Sequence, residues 1–411
     1  MILSIPQYSS LKSRLKTKYK KELSLTKKAF KKFPALKVSD WLEEDHEELK
    51  TYSSLNWFFL QQLKTLLVFL KADLPKKTSE DGFTETEDLI FEKWNQSEFA
   101  ETFLKLISKG YSVKKANDEA AKIFDAHLQA LAIRHILKNK ITNKNYRLQT
   151  SLGDTGLNSK LLETTLHLDG KELNLMTSSM KEMKDFSHRI ESALKIIKKV
   201  SPTSWDRFKS FTDVIVPIKD KEFVSYSHQE LPGTSMINMY HRDFTDLLDD
   251  LLHENGHHHL NYYLNLGKLI DEPIETIYYS PWRRTLRPLR GIYHAYFTFF
   301  WAFKLFSDLA SEKKLDEVHE FSAKENDKII WRAIEEYWML EYSYQDLVWA
   351  KKQGLIKATG WKLIEAQKNE LNKFKKKIPA WEKKLRYHKK DLNQLKKVLK
   401  EARKSYKLAG Q

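Results

Sequence analysis

Residues 253–259 read His-Glu-Asn-Gly-His-His-His. Two histidines four positions apart share a face when the backbone is helical, where one turn sets them side by side. The HExxH pattern therefore predicts a helix from Leu251 to Leu264. On it His253 and His257 are offered to one metal ion, with Glu254 beside them as acid, base or support. A helix that carries ligands needs a rigid wall, and it needs a third ligand from elsewhere in the chain.

The remainder of the chain is written for helices. Only 12 glycines and 10 prolines interrupt 411 residues, while 22 Phe, 18 Tyr and 11 Trp supply apolar surface for a folded core. Apolar periodicity predicts helices over Leu289–Leu309, opened by Pro288, and over Asp327–Ala350. Trp57–Leu70 and Val113–Leu137 carry similar patterns. After Pro379, the residues Trp381, Leu385, His388, Leu392, Leu395 and Leu399 form one seam of a long basic helix, expected to pack back along Lys12–Phe33 or against a second subunit. The segment ahead of the histidines is different. Val214–Pro217, Phe223–Ser227 and Ser235–Met239 are β-type, with a turn signal at Leu231-Pro232-Gly233. The expected fold is mainly α with a small β-sheet, an α+β arrangement with the HExxH helix packed near short strands and long basic terminal helices. Three regions are expected: a mainly helical 1–205, a metal-binding catalytic core 206–350 and a basic helical extension 351–411.

Composition narrows the chemistry. With no cysteine, disulfide scaffolds, thiolate metal sites and cysteine nucleophiles are excluded, leaving nitrogen and oxygen ligands. The formal charge of +16 suits an acidic partner, but no zinc-finger or glycine-rich phosphate signature accompanies it, so nucleic acid is not favoured. The opening residues lack a secretory pattern, and Leu55–Leu70 is interrupted by Gln61, Gln62 and Lys64. A cytoplasmic protein without a membrane span, monomeric or homodimeric, is expected.

Three residues compete to complete a metal site. Glu272 and Glu275 follow His257 at the distance from which a zinc peptidase draws its third ligand, and Glu254 would then activate a metal-bound water. The longer HExxHxxGxxH pattern is excluded, because Leu260 and Tyr263 stand where glycine and histidine are required. His294 is a polar residue inside the apolar 289–309 segment, with Arg290 and Arg287 one and two turns before it and Arg283 and Arg284 upstream. Arginines grouped around a histidine suit a bound carboxylate, which a guanidinium grips through two parallel contacts. A third reading is a basic helical binding protein whose metal site is structural.

The stretches HENGHHHLNYYLNLGKL and YYSPWRRTLRPLRGIYHAYFTFFWAF, with SYSHQELPG upstream, resemble the HExxH-type peptide β-hydroxylases, 2-oxoglutarate-dependent iron enzymes that act on ribosomally made peptides. The resemblance covers roughly Val214–Leu305. It implies Fe(II) held by His253, His257 and His294, with 2-oxoglutarate and O2 as cosubstrates and a precursor peptide, acidic in character, as partner. Arg287 matches the family's Arg-Pro-Leu position and is the first choice for the cosubstrate carboxylate, with Arg283 and Arg290 behind it. Glu254 becomes a supporting residue. His258-His259 departs from relatives that carry lysine after the second ligand, and His259 is expected to contact substrate or support the ligands. Tyr262, Tyr263, Tyr278, Tyr279, Trp282 and Tyr293 are candidates for the pocket wall. The strands at Ser225–Ser227 or Ser235–Met239 are candidates to pair with an extended peptide.

Overall fold

The computed structural model describes residues 5–31, 57, 60, 61, 64, 105, 108–110, 115, 147, 148, 179–221, 224–227, 233–271, 277–312 and 320–406. Most of the expected 1–205 region lies outside these residues, as do the Leu231-Pro232 part of the turn and the ligand candidates Glu272 and Glu275. The chain forms two compact units, Met1–Leu15 with Lys144–Gln411, and Lys16–Asn143. Helix α1 (Ile5–Phe30) begins in the first and continues in the second. In the second unit Tyr19, Leu23, Trp57 and Leu60 are buried, and Lys64 pairs with Glu22 at 2.9 Å.

The first unit is mainly helical with two small sheets. A mixed sheet has the order β1-β2-β4-β3, built from β1 (Arg147–Leu148), β2 (Val214–Ile218), β3 (Tyr226–Ser227) and β4 (Thr234–Asn238). Strands β1, β2 and β4 run parallel, while β3 joins β4 antiparallel, with Tyr226 opposite Met236. Gly233 enters β4 at φ +92°, a conformation that a side chain would strain. Ahead of the sheet, α2 (Met180–Val200) opens with a Ser179/Glu182 capping box, and α3 (Pro202–Phe211) starts with its proline where an N–H is dispensable.

The ligand helix α4 (Phe244–Leu264) follows β4 directly. Asp243 caps it, accepting from the Asp246 amide at 2.9 Å. The sheet grips α4 through Asp250. Its carboxylate accepts from the Ser225 hydroxyl at 2.7 Å and from Arg242 at 2.5 and 3.0 Å, and Ser225 in turn accepts from the Asn238 amide. The expected wall is thus present and bonded to the helix one turn before His253.

A hairpin of β5 (Tyr278–Ser280) and β6 (Thr285–Arg287) leads into α5 (Leu289–Ser311), capped by Pro288. Helix α5 is buried on nearly every side, packing on α4, on α6 (Ala323–Lys352) and on α7 (Ala358–Phe374). Tyr296, Phe297, Phe300, Trp301 and Phe303 are 0 or 1 % exposed, and truncating one such ring costs about 3–5 kcal/mol. Its apolarity therefore serves the core. Among the described residues no helix is long and apolar enough to cross a membrane.

The chain beyond residue 350 continues this core. Gln367 donates to the Phe297 carbonyl at 3.0 Å, and the Tyr293 hydroxyl donates to the Gly360 carbonyl at 2.9 Å. The single helix expected after Pro379 is broken into α8 (Ile378–Lys384) and α9 (Lys389–Ser405). Asp327 of α6 is the cause. Its carboxylate accepts from the amides of Arg386, Tyr387 and His388 at 2.7–3.1 Å and from His388 Nδ1 at 2.7 Å, holding the turn that separates the two helices. The seam of Leu392, Leu395 and Leu399 is taken up by α6, where Arg403 also reaches Asp346 and the Tyr342 carbonyl.

Candidate metal centre

Four of the helix's residues are histidine, and packing sorts them into two classes. His253 and His257 stay partly exposed, while His258 and His259 are fully buried. The Nε2 atoms of His253 and His257 lie 3.2 Å apart, with ring centroids at 4.9 Å. Two nitrogens each about 2.0–2.1 Å from one metal ion, at tetrahedral or octahedral angles, would be separated by roughly 3 Å, so the pair is spaced as two ligands of one ion. Burial pulls the His253 imidazole down to about 3, helped by the charges of Arg332, Arg283 and Arg207. His257 and His294 are likewise held well below the ordinary imidazole range, first by desolvation. Neutral rings are the ligand form, and two facing nitrogens need a proton or a cation between them.

His294 stands on the neighbouring helix α5 with its ring centroid 6.3 Å from that of His257, farther than the 4.9 Å within the pair. Among the described residues no group of three or more His, Cys, Asp or Glu side chains is arranged to hold a metal ion. The structure therefore brings together a two-pronged site with a third histidine at its edge. His253 Nδ1 is buried without a hydrogen-bond partner.

Glu254 turns away into the protein, 3 % exposed, and desolvation pushes its carboxyl up to about 8 against the lowering effect of the Ser227 hydroxyl. His258 is pinned to the sheet: its Nδ1 accepts the Gly233 amide at 3.0 Å and its Nε2 meets the Ser235 hydroxyl at 2.9 Å. His259, expected to contact substrate or support the ligands, lies in the core, stacked on Phe211 at 4.5 Å and edge-on to Tyr8 at 5.1 Å. The helix turns about 200° over the two residues from His257, which carries His259 to the rear face.

The unusual Asn255-Gly256 dipeptide is explained at the same place. Asn255 donates to Thr212 Oγ1 at 2.7 Å and to the Phe208 carbonyl at 3.3 Å. A Cβ on Gly256 would lie 3.2 Å from both the Thr298 Cα and Trp301, so the glycine lets α4 and α5 meet backbone to backbone.

The hairpin supplies the arginines. Arg283 and Arg284 are exposed, the latter at φ +52°, and Arg287 and Arg290 are half-buried. The Arg283 charge is felt at His253 and that of Arg290 at His294. Arg287 lies against the bare Cα of Gly291, its Nε 3.2 Å from where a Cβ would stand. Of the aromatic candidates, Tyr262, Tyr278 and Tyr293 are core residues at 0 or 1 % exposure, and Tyr279 stacks on Tyr406 at 5.4 Å. Trp282 reaches the histidine pair through one ring. It stacks on Phe299 at 4.7 Å, and Phe299 packs on His253 at 4.3 Å. The Trp282 indole is tied to Glu336 at 2.8 Å, and Arg332 links Glu336, Glu335 and Asp249, one turn before His253. Sequence reasoning missed Phe299, Arg332 and Glu336; charges inside the apolar 327–350 helix were the one available signal. For peptide pairing, β4 is interior to the sheet, which leaves β3 as the described edge on that side.

No family model matches the chain, and no curated protein matches it at a significant level.

Proposed function

We propose that this protein is an Fe(II)- and 2-oxoglutarate-dependent oxygenase that hydroxylates an unactivated side-chain carbon, normally Cβ, of a ribosomally made peptide. The observation that carries the reading is the convergence of the His253 and His257 Nε2 atoms at 3.2 Å, with His294 on the neighbouring helix 6.3 Å from His257 and the charge of Arg283 felt at His253. His253 and His257 would hold the ion, with His294 as the third ligand that the resemblance implies. When bound, Fe(II) with the 2-oxo acid and O2 supplies oxidative decarboxylation coupled to oxygen insertion into a C–H bond, with release of succinate and CO2.

The chain's own residues supply binding and aim. Arg287 is the first choice for the cosubstrate carboxylate, with Arg283 and Arg290 nearby; a planar guanidinium fits a carboxylate in two contacts. Trp282 and Phe299 form a rigid aromatic wall beside His253, limiting water and fixing the approach of a side chain. The β3 edge offers backbone groups to an extended peptide, and the +16 charge favours an acidic one. Against the zinc-peptidase alternative stands the burial of Glu254, which is 3 % exposed.

The test supplies purified protein with Fe(II) and 2-oxoglutarate without oxygen, where a visible charge-transfer band is expected and is lost in His253→Ala. Oxygen and ribosomal-type peptides are then added, and succinate is expected in step with a peptide mass gain of one oxygen. Zinc-dependent chain cleavage without succinate would replace this reading with the peptidase.

A further inference from the structure

A second polar cluster lies on the rear face of α4, and the histidine pair does not use it. Its centre is Arg207 of α3, which is 0 % exposed. The guanidinium sits 3.6 Å over the Trp301 ring and donates from Nη2 to the Leu252 carbonyl at 3.3 Å. Its Nε and Nη1 have no hydrogen-bond partner, and among the described residues no carboxylate pairs with it. His259 packs in the same cluster, 5.9 Å from Trp301 and 5.1 Å from Tyr8, with neither ring nitrogen bonded; the Tyr8 hydroxyl is unbonded as well.

A guanidinium keeps its proton in any protein, so burial cannot neutralise it. An uncompensated buried charge is costly, and one carbonyl with one ring face offsets only part of that cost. The groups left over are chiefly donors: three guanidinium N–H bonds on Nε and Nη1, a phenol O–H and one imidazole N–H. A water molecule would accept from some of these and leave the charge uncancelled. A monovalent anion meets both needs. The surrounding residues Phe211, Phe297 and Trp301 are 0 or 1 % exposed, so the occupant is small and enclosed as the chain folds.

We propose that Arg207, Tyr8 and His259 form a buried site for a halide-sized monovalent anion, separate from the metal centre. The site is independent of the oxygenase reading, since it shares no side chain with the histidine pair.

Thermal unfolding of the full chain in sodium chloride or bromide, against sodium gluconate at equal ionic strength, tests this. The midpoint is expected to rise by several degrees in halide, saturating as one site fills, and bromide in crystals should give an anomalous peak beside Arg207. Arg207→Met should abolish the halide dependence. If that variant does not fold, Tyr8→Phe should still shift the halide titration to roughly tenfold higher concentration, as expected for one lost hydrogen bond to a charged group. Equal midpoints in halide and gluconate, or a water rather than bromide beside Arg207, would overturn the proposal.

Discussion

The two faces of α4 carry the same residue type to opposite ends. On the front, His253 and His257 point their nitrogens at each other and stay partly exposed. On the rear and sheet-facing sides, Asn255, Gly256, His258 and His259 are buried, bonded to β4 and α3 or pressed on rings. A histidine that bonds the backbone holds the helix in place, and one left facing an opening is free to bind. The rigid face is what lets the front face keep two nitrogens 3.2 Å apart.

The comparison breaks most sharply at the front. His253→Ala is expected to weaken Fe(II) binding by at least about 100-fold, more than the loss of an outer-shell partner, with stability changed by no more than about 0.5–1 kcal/mol. Metal titration beside chemical denaturation separates the two. The rear face should respond in reverse. His258→Ala leaves the Gly233 amide and Ser235 hydroxyl without their partner and should cost about 2–4 kcal/mol in urea unfolding, while the folded fraction keeps its metal affinity. Gly256→Ala forces α4 and α5 apart against Thr298 and Trp301, an overpacking cost of about 1–3 kcal/mol.

A smaller, pH-dependent effect tests the link between the two sides. Burial pushes the Glu336 carboxyl up to about 8, partly offset by the Arg332 charge. The unfolded chain gives up this proton near the ordinary carboxylate value while the folded chain keeps it. Glu336 therefore makes stability fall as pH rises through that window and level off above about 8. The slope from one group is at most about 1.4 kcal/mol per pH unit. In Glu336→Gln this part of the slope should disappear from unfolding free energies measured between pH 5 and 8. An unchanged slope would show that Glu336 is ionised in the folded protein.

Much of the architecture was legible because its causes are local. Periodic apolar residues marked α5 and α6, β-type residues marked β2 and β4, and the four-residue spacing put His253 and His257 on one face. The break between α8 and α9 was not legible, because Asp327, some 60 positions away, supplies the bonds that hold the turn between them. The burial of His259 was not legible for the same reason: its surroundings come from α1, α3 and α5, and its own sequence neighbours say nothing of them.

By itself the sequence determined that a helix would carry two histidines side by side beside a small sheet, and that any ligands would be nitrogen or oxygen. Only the tertiary structure decided which histidines face the opening, that Glu254 is buried, and that Trp282 is held by Glu336. The physical reason is one of range. Helix periodicity acts over one turn, whereas burial, charge pairing and the distance of a third ligand depend on which elements the folded chain brings against that turn.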